Sequence, residues 1–133
     1  MGYTRYWKRT DKKITTDFIL EVCEVIADCD RKGIAIRNGY GEGNPVVTLD
    51  KVWLNGDEKA AHDLSHETLY IGNEPDDFEF CKTARKPYDY AVREILRIAQ
   101  DMGLVTGVRS DGENDRIISD EEYLKIYFTD SHD

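Results

Sequence analysis

The segment from Pro87 to Gly103 constrains the fold more than any other part of the sequence. Within it, apolar side chains recur at the spacing of one helix face, at Tyr88, Ala91, Val92, Ile95, Ala99 and Met102. Proline is favoured in the first turn of a helix and glycine just beyond its end, so the pattern predicts a helix over 87–102. An apolar helix face must be covered by another element, so we expect this helix to pack on a core.

The remaining patterns predict a second helix and several short strands. The helix is predicted over 16–31, where apolar residues follow the same period after a capping threonine. Short apolar or alternating runs predict strands at 3–9, 46–49, 51–54, 68–71, 78–81 and 104–108. A capping box at Ser119–Glu122 predicts a short, peripheral last helix ending near Phe128. We expect a single α+β domain over 1–133, in which two main helices cover a mostly antiparallel sheet of four to six strands.

Composition limits the classes of partner. The 133 residues carry 18 Lys and Arg against 27 Asp and Glu, a net charge of −9 that repels bulk nucleic acid and anionic membrane surfaces. We see neither an apolar run long enough to span a membrane nor a signal peptide, and therefore expect a cytoplasmic protein. The three cysteines lack metal-site spacing, and we expect reduced thiols in or near the core.

The basic residues are concentrated in two short segments of this acidic chain. Lys82, Arg85 and Lys86 directly precede the helix predicted from Pro87. A helix start already carries partial positive charge, so these cations favour a bound anion such as phosphate. The alternative is that the protein's own carboxylates neutralise the segment, with candidates at Asp76, Asp77, Glu79 and Asp89.

The second basic segment opens the chain, where Arg5, Lys8 and Arg9 alternate with aromatic residues. Aromatic side chains among cations can stack a nucleobase while the cations hold its phosphate. Arg5 would then assist phosphate binding, and the stacking residue would be one of Tyr6, Trp7 or Tyr88. The alternative is a strand whose aromatic residues face the core while its basic residues face water.

Two further patterns carry weaker signals. His62 and His66 have the spacing of a shared metal on a helix, but the segment runs into a predicted strand, so we expect no metal and no cofactor. His66 and Glu67 are weak candidates for an acid–base pair, because no nucleophile accompanies them. The glycine-rich stretch 39–43 precedes a strand and lacks the Lys-Ser/Thr of a phosphate loop, which favours a simple connection.

Several motifs occur together in one order: Gly2-Tyr3-Thr4-Arg5-Tyr6-Trp7, Leu54-Asn55-Gly56, His66-Glu67-Thr68, and Phe80-Cys81-Lys82-Thr83-Ala84-Arg85-Lys86-Pro87-Tyr88-Asp89. In these motifs the chain resembles a family of small, largely uncharacterised proteins of tailed bacteriophages and prophages, over residues 2–103. Members of that family tend to have His where this chain has Arg5. The resemblance implies a phage accessory protein that works in the cytoplasm of an infected bacterium, and it implies no reaction.

Our leading hypothesis is a non-enzymatic protein that binds a small phosphate-bearing ligand, such as a nucleotide or a nucleotide-derived immune signal of the host. Lys82, Arg85 and Lys86 would hold the phosphate. One alternative is an acidic protein-binding module that inhibits a host factor, because residues 50–79 carry nine acids and two lysines, a net charge of −7. The second alternative is a small hydrolase that uses His66 and Glu67. The sequence leaves self-association open.

Overall fold

The computed structural model describes residues 3–114 and 116–128. The elements in chain order are β1 (Thr4–Arg9), α1 (Thr16–Arg31), β2 (Val46–Val47), β3 (Val52–Leu54), β4 (Leu69–Ile71), β5 (Asp76–Lys82), α2 (Asp89–Asp101), β6 (Val105–Ser110) and α3 (Asp120–Phe128). Both main helices lie where the apolar periodicity predicts them. Pro87 and Tyr88 form a turn just before α2, so this helix begins two residues later than predicted.

The strands form two antiparallel sheets of three strands each, in the orders β5-β1-β6 and β2-β3-β4. The α+β class and the antiparallel pairing are confirmed, whereas the expected single sheet is not found among the described residues. The segment 78–81 follows the strands of 46–71 in the sequence, but it belongs to β5, which pairs with β1 and not with them, and which places Tyr6 opposite Phe80. Strand β1 is the central strand of its sheet and is paired with β5 on one side and with β6 on the other.

One continuous core joins the two sheets to the two main helices. Helix α1 contributes Phe18, Val22, Val25 and Cys29, and α2 contributes Ala91, Val92, Ile95, Leu96 and Ala99. In β1 the odd-numbered residues point inward, so Arg5, Trp7 and Arg9 are buried while Lys8 is exposed. Alternation of this kind follows from the pleat of a strand. It leaves the opposite face of the β5-β1-β6 sheet open to solvent.

The Asn55-Gly56 pair does not form the tight hairpin turn that its sequence predicts. Asn55 is buried, and its side-chain oxygen accepts hydrogen bonds from the backbone N–H groups of Gly56 (2.8 Å) and His66 (3.0 Å). A Cβ at Gly56 would lie 2.1 Å from the carbonyl oxygen of Leu64, which explains why this position requires glycine. The loop 57–68 folds back over this pair before β4 begins.

Helix α3 is peripheral, as predicted, and none of its described residues is buried. The side chain of Ser119 accepts a hydrogen bond from the N–H of Glu122 (3.0 Å), and the carboxylate of Asp120 accepts one from the N–H of Ala35 (3.0 Å). The first bond caps the helix, and the second attaches its start to the loop after α1, as does the bond from the N–H of Asp120 to the carbonyl of Gly33 (2.9 Å).

Two of the three cysteines are buried, and Cys23 is exposed, which corrects the expectation for that residue. Burial raises the pKa of both Cys29 and Cys81 to about 12, so these thiols stay protonated at neutral pH. No helix in the described residues combines the length and the apolar character that crossing a bilayer requires.

Candidate functional site

The N-terminal end of α2 holds a carboxylate of the protein itself. Asp89 accepts two hydrogen bonds from Arg5, from Nε and from Nη2, each of 2.8 Å. Its remaining acceptor positions take the hydroxyl of Thr83 (2.7 Å) and the amide of Asn114 (2.6 Å). Arg5 and Asp89 are 7% and 2% exposed, so solvent does not reach the pair. This internal carboxylate occupies the place where the sequence favoured a bound anion.

Arg5 therefore has a structural role in place of the predicted ligand contact. Burial works against its charge, but the hydrogen bond and the negative charge of Asp89 outweigh burial and raise the pKa of Arg5. Each guanidinium nitrogen that points at Asp89 is already used. A ligand phosphate at this position would have to displace a buried carboxylate from its partners.

The two basic segments meet across the buried ring of Tyr3. The Cζ atom of Arg5 lies 5.3 Å from the centre of this ring, and that of Arg85 lies 4.2 Å from it. Arg85 is exposed and also donates a hydrogen bond to the carbonyl of Glu113 (2.8 Å). Of the two arginines, Arg85 alone still presents charge to solvent, and it does so from the edge of the β5–α2 turn.

Three other predicted site residues, Trp7, Tyr88 and Lys86, make their contacts within the protein. Trp7 and Tyr88 are 2% and 1% exposed, and the Tyr88 hydroxyl donates to the carbonyl of Glu67 (2.6 Å). Their burial leaves no ring face for a base, so the stacking role does not fit these two residues. The ammonium of Lys86 donates to the carbonyls of Asp63 (2.9 Å) and Ser65 (2.7 Å). Burial lowers the pKa of Lys86, against the attraction of Asp63.

The pair His66 and Glu67 anchors the loop that precedes β4. The backbone of His66 exchanges hydrogen bonds with the Asn55 side chain, and the Glu67 carboxylate accepts one from the N–H of Lys82 (2.9 Å). The carbonyl of Glu67 also accepts the hydrogen bond from Tyr88. These contacts clamp the loop to β5 through the backbone of His66 and through the carboxylate and carbonyl groups of Glu67.

The solvent-facing side of the first sheet brings together aromatic and basic residues. We call it the outer sheet face, and it consists of Tyr6, Lys8, Phe78, Phe80, Lys82 and Arg109. Phe78 and Phe80 are 52% and 44% exposed, far more than a phenylalanine on a covered strand would be. Exposed aromatic rings grouped on one sheet face are typical of a binding surface.

The rings of this face form a row. The centre of the Tyr6 ring lies 6.0 Å from that of Phe78, which lies 5.6 Å from that of Phe80. The guanidinium of Arg109 lies 4.7 Å from the centre of the Tyr6 ring, and the Tyr6 hydroxyl donates to Asp111 (2.9 Å). Tyr6 is therefore held in place by two partners, while Phe78 and Phe80 meet solvent directly.

Sequence patterns identify the strand of Phe78 and Phe80 but miss its site role. The run Phe78-Glu79-Phe80-Cys81 alternates between ring and non-ring residues, and either set could face the core. Lys82 is the signal that could have decided between the two sets. It lies on the same side of the strand as Phe78 and Phe80, and because lysine is rarely buried, this side is expected to face solvent. Arg109 was also missed, because its strand carries no aromatic or basic pattern of its own.

No protein-family model, curated protein or solved structure matches the chain.

A cavity of about 210 Å³ lies at the other end of the same sheet, lined in part by Trp7, Arg9, Glu74, Asp76 and Glu79. The guanidinium of Arg9 donates there from Nε and Nη1 to backbone carbonyls, at 2.7 to 2.9 Å, and from Nη2 to the side-chain oxygen of Asn73 (3.5 Å). Burial, followed by the hydrogen bond and charge of Asp76, raises the pKa of Glu79 to about 7. Three carboxyl groups around one occupied guanidinium make this cavity unsuitable for a phosphate.

Metal binding has no support in the described part of the chain. Within 3–114 and 116–128, no three His, Cys, Asp or Glu side chains are grouped as metal ligands would be. His62 instead stacks on Phe128, with ring centres 4.0 Å apart.

Proposed function

We propose that the chain is a non-enzymatic protein that binds a ligand carrying both a planar base and a phosphate, and that it does so on the outer sheet face. The observation that supports this most is the row of rings of Tyr6, Phe78 and Phe80 at the surface. An exposed ring such as Phe78 or Phe80 offers a π surface for a nucleobase, a contact worth about 1–3 kcal/mol per base. Stacking and charge neutralisation are both binding interactions, so the proposal needs no reaction.

The charges of this face support a phosphate-bearing ligand. Lys8, Lys82 and Arg109 are exposed around the rings, although the whole chain carries a net charge of −9. A local group of cations attracts a local anion, while the acidic remainder repels extended polyanions. The proposed ligand is accordingly a nucleotide or a nucleotide-derived signal.

The proposed site retains part of the set predicted from the sequence and moves its centre. Tyr6 and Lys82 remain in it, and Lys8, Phe78, Phe80 and Arg109 are added. Arg85 lies outside it, beside Tyr3, and its charge can contribute only from the neighbouring turn. In a phage protein, binding of this kind would sequester a nucleotide-based immune signal of the host, in keeping with the resemblance described above.

A thermal-shift panel of nucleotides and cyclic dinucleotides tests the proposal. A ligand at 100 times its dissociation constant adds about 2.7 kcal/mol to the free energy of unfolding, a readily measured stabilisation. We expect Phe80→Ala to abolish the shift and Tyr40→Ala to preserve it, because Tyr40 is 73% exposed but lies outside the outer sheet face. If no phosphate compound stabilises the wild-type chain, the proposal is wrong.

A second candidate function is binding to a basic host protein through α3. The helix has Asp120, Glu121 and Glu122 in its first turn, and Ile126 and Tyr127 are 52% and 50% exposed. Acidic residues beside exposed apolar ones suit a basic partner with an apolar patch. Binding that Ile126→Asp abolishes and Phe80→Ala leaves intact would favour this function over nucleotide binding.

A further inference from the structure

We infer, resting on the proposed function, that the preferred ligand of the outer sheet face is a short single-stranded nucleic acid. The three rings follow one another across two neighbouring strands, with centre-to-centre distances of 6.0 and 5.6 Å. Successive rings on an open sheet can each take one unstacked base of a strand. A single nucleotide would use one of these rings and leave the others in water.

The shape of the face also favours a strand over a single nucleotide. The cavity at the other end of the sheet and the hollow beside α3 are lined by other residues, and none of the six residues of the outer sheet face lines either of them. Pockets for small ligands enclose about 70–90% of the ligand surface, and this face encloses little. An open face gains affinity by adding contacts along a chain, so the affinity should rise with the number of nucleotides.

The charge of the outer sheet face and of the whole chain limits the length and the kind of nucleic acid that can bind. Lys8, Lys82 and Arg109 can neutralise about three phosphates, and the net charge of −9 opposes any further ones. In a duplex the bases are paired and stacked on one another, so their faces cannot reach the rings. The acidity that excludes bulk duplex binding is therefore compatible with a few single-stranded nucleotides held by stacking.

One carboxylate lies at the edge of the face and has a positioning role. Asp111 accepts a hydrogen bond from the Tyr6 hydroxyl (2.9 Å) and another from the backbone N–H of Thr4 (3.0 Å). The guanidinium of Arg109 lies over the same Tyr6 ring, 4.7 Å from its centre. The planar guanidinium is itself a surface on which a base can stack.

The test is the fluorescence anisotropy of labelled oligothymidylates of about 4 to 16 nucleotides, against thymidine monophosphate and a duplex of equal length. We expect the affinity to rise with length over the first few nucleotides and then to level off. With three cations engaged, the slope of log K against log salt should be about −2, since each phosphate contact contributes about −0.7 on a single strand. The duplex should bind at least about tenfold more weakly than the strand.

Matched variants locate the contact. Phe80→Ala should weaken oligonucleotide binding by about tenfold or more, and Phe80→Trp should preserve it, because a larger ring stacks at least as well. Lys82→Ala should reduce the salt slope by about 0.7, whereas Lys125→Ala on α3 should leave it unchanged. Phe80 is largely exposed, so these variants are expected to stay folded, and circular dichroism verifies this.

The outcomes separate this inference from the proposed function. If mononucleotides bind in a Phe80-dependent manner and longer strands bind no better, the proposed function stands and the inference is wrong. If neither binds, both are wrong. Oligonucleotide binding that survives both Phe80→Ala and Phe78→Ala would place the contact elsewhere and overturn the inference. Concentration-dependent self-association that Phe78→Ala abolishes, without nucleic acid binding, would instead identify the face as an interface between copies.

Discussion

The stability of the fold depends on a buried ion pair between β1 and the start of α2. Arg5 and Asp89 form a buried pair with two hydrogen bonds of 2.8 Å, and Thr83 and Asn114 complete the acceptor positions of the carboxylate. Removing one member of such a pair leaves the other charge buried without a partner. The network therefore links β1 to α2 by contacts that are costly to break one partner at a time.

Arg5→Ala should lower the free energy of unfolding by about 3–5 kcal/mol, because Asp89 then stays buried and unpaired. Urea denaturation followed by circular dichroism measures this change. Lys8→Ala is the control on the same strand, where an exposed side chain should change stability by less than about 0.5 kcal/mol. A loss below about 1 kcal/mol in Arg5→Ala would mean that the pair contributes little.

Glu79 gives the stability a pH dependence of definite sign. Its pKa is about 7 in the folded chain, against an ordinary value of 4.5, because burial and the neighbouring Asp76 disfavour the ionised form. The protonated carboxyl of Glu79 therefore contributes stability to the folded chain that is fully present below pH 4.5 and is lost as the pH rises through about 7. Glu79→Gln removes this loss, so the melting temperature of the variant minus that of the wild type should increase from about pH 5 to about pH 8.

Both chains in that comparison contain the same histidines, so the histidine titrations cancel in the difference. Differential scanning calorimetry at several pH values measures it. A difference that is constant with pH would show that Glu79 does not titrate in this range in the folded protein.

At the scale of elements, the turn between β5 and α2 carries backbone strain. Ala84 and Arg85 both have left-handed φ angles, of 55° and 58°, in a conformation that glycine adopts more easily. The turn places Arg85 over the ring of Tyr3 and leads Asp89 into its network. The strained backbone thus positions two side chains of the Phe80–Asp89 motif.

Ala84→Gly should therefore raise the free energy of unfolding by about 1 kcal/mol, because it removes the steric cost of the left-handed conformation. The same change in an ordinary helical position has the opposite sign. Ala27→Gly, at an exposed site in α1, should lower stability by about 1 kcal/mol. Chemical denaturation measures the change in the free energy of unfolding for each variant. A destabilised Ala84→Gly would refute the strain argument.

Helices could be predicted from this sequence more fully than strand partners could. The period of 3.6 residues lies within one segment, and it placed α1 at Thr16–Arg31 and α2 within two residues of its start. Strand pairing joins residues far apart, such as Tyr6 and Phe80, and no local pattern specifies it. The candidate site also depends on a contact between distant residues. Asp89, and not an external anion, occupies the start of α2 because it pairs with Arg5, which lies 84 residues away in the sequence.

At the scale of the whole molecule, added salt should act on stability and on ligand binding in opposite directions, because the chain carries a net charge of −9 while its outer sheet face carries cations. Like charges on the surface repel one another and destabilise the folded state, whereas the cations of the outer sheet face attract the proposed ligand. Raising NaCl from about 0.1 M to about 1 M shortens the screening distance from about 10 Å to about 3 Å. The same addition should therefore relieve the repulsion and weaken the attraction.

We expect the melting temperature to rise over this salt range while the affinity for a single-stranded oligonucleotide falls by about 100-fold, as three phosphate contacts imply. The buried Arg5–Asp89 pair is screened little, so it should not offset the gain in stability. The double variant Glu58→Gln/Asp77→Asn changes two exposed acids, and it should be more stable in low salt and respond less to added salt. A melting temperature that falls with salt would show that exposed ion pairs outweigh the repulsion of the acidic surface.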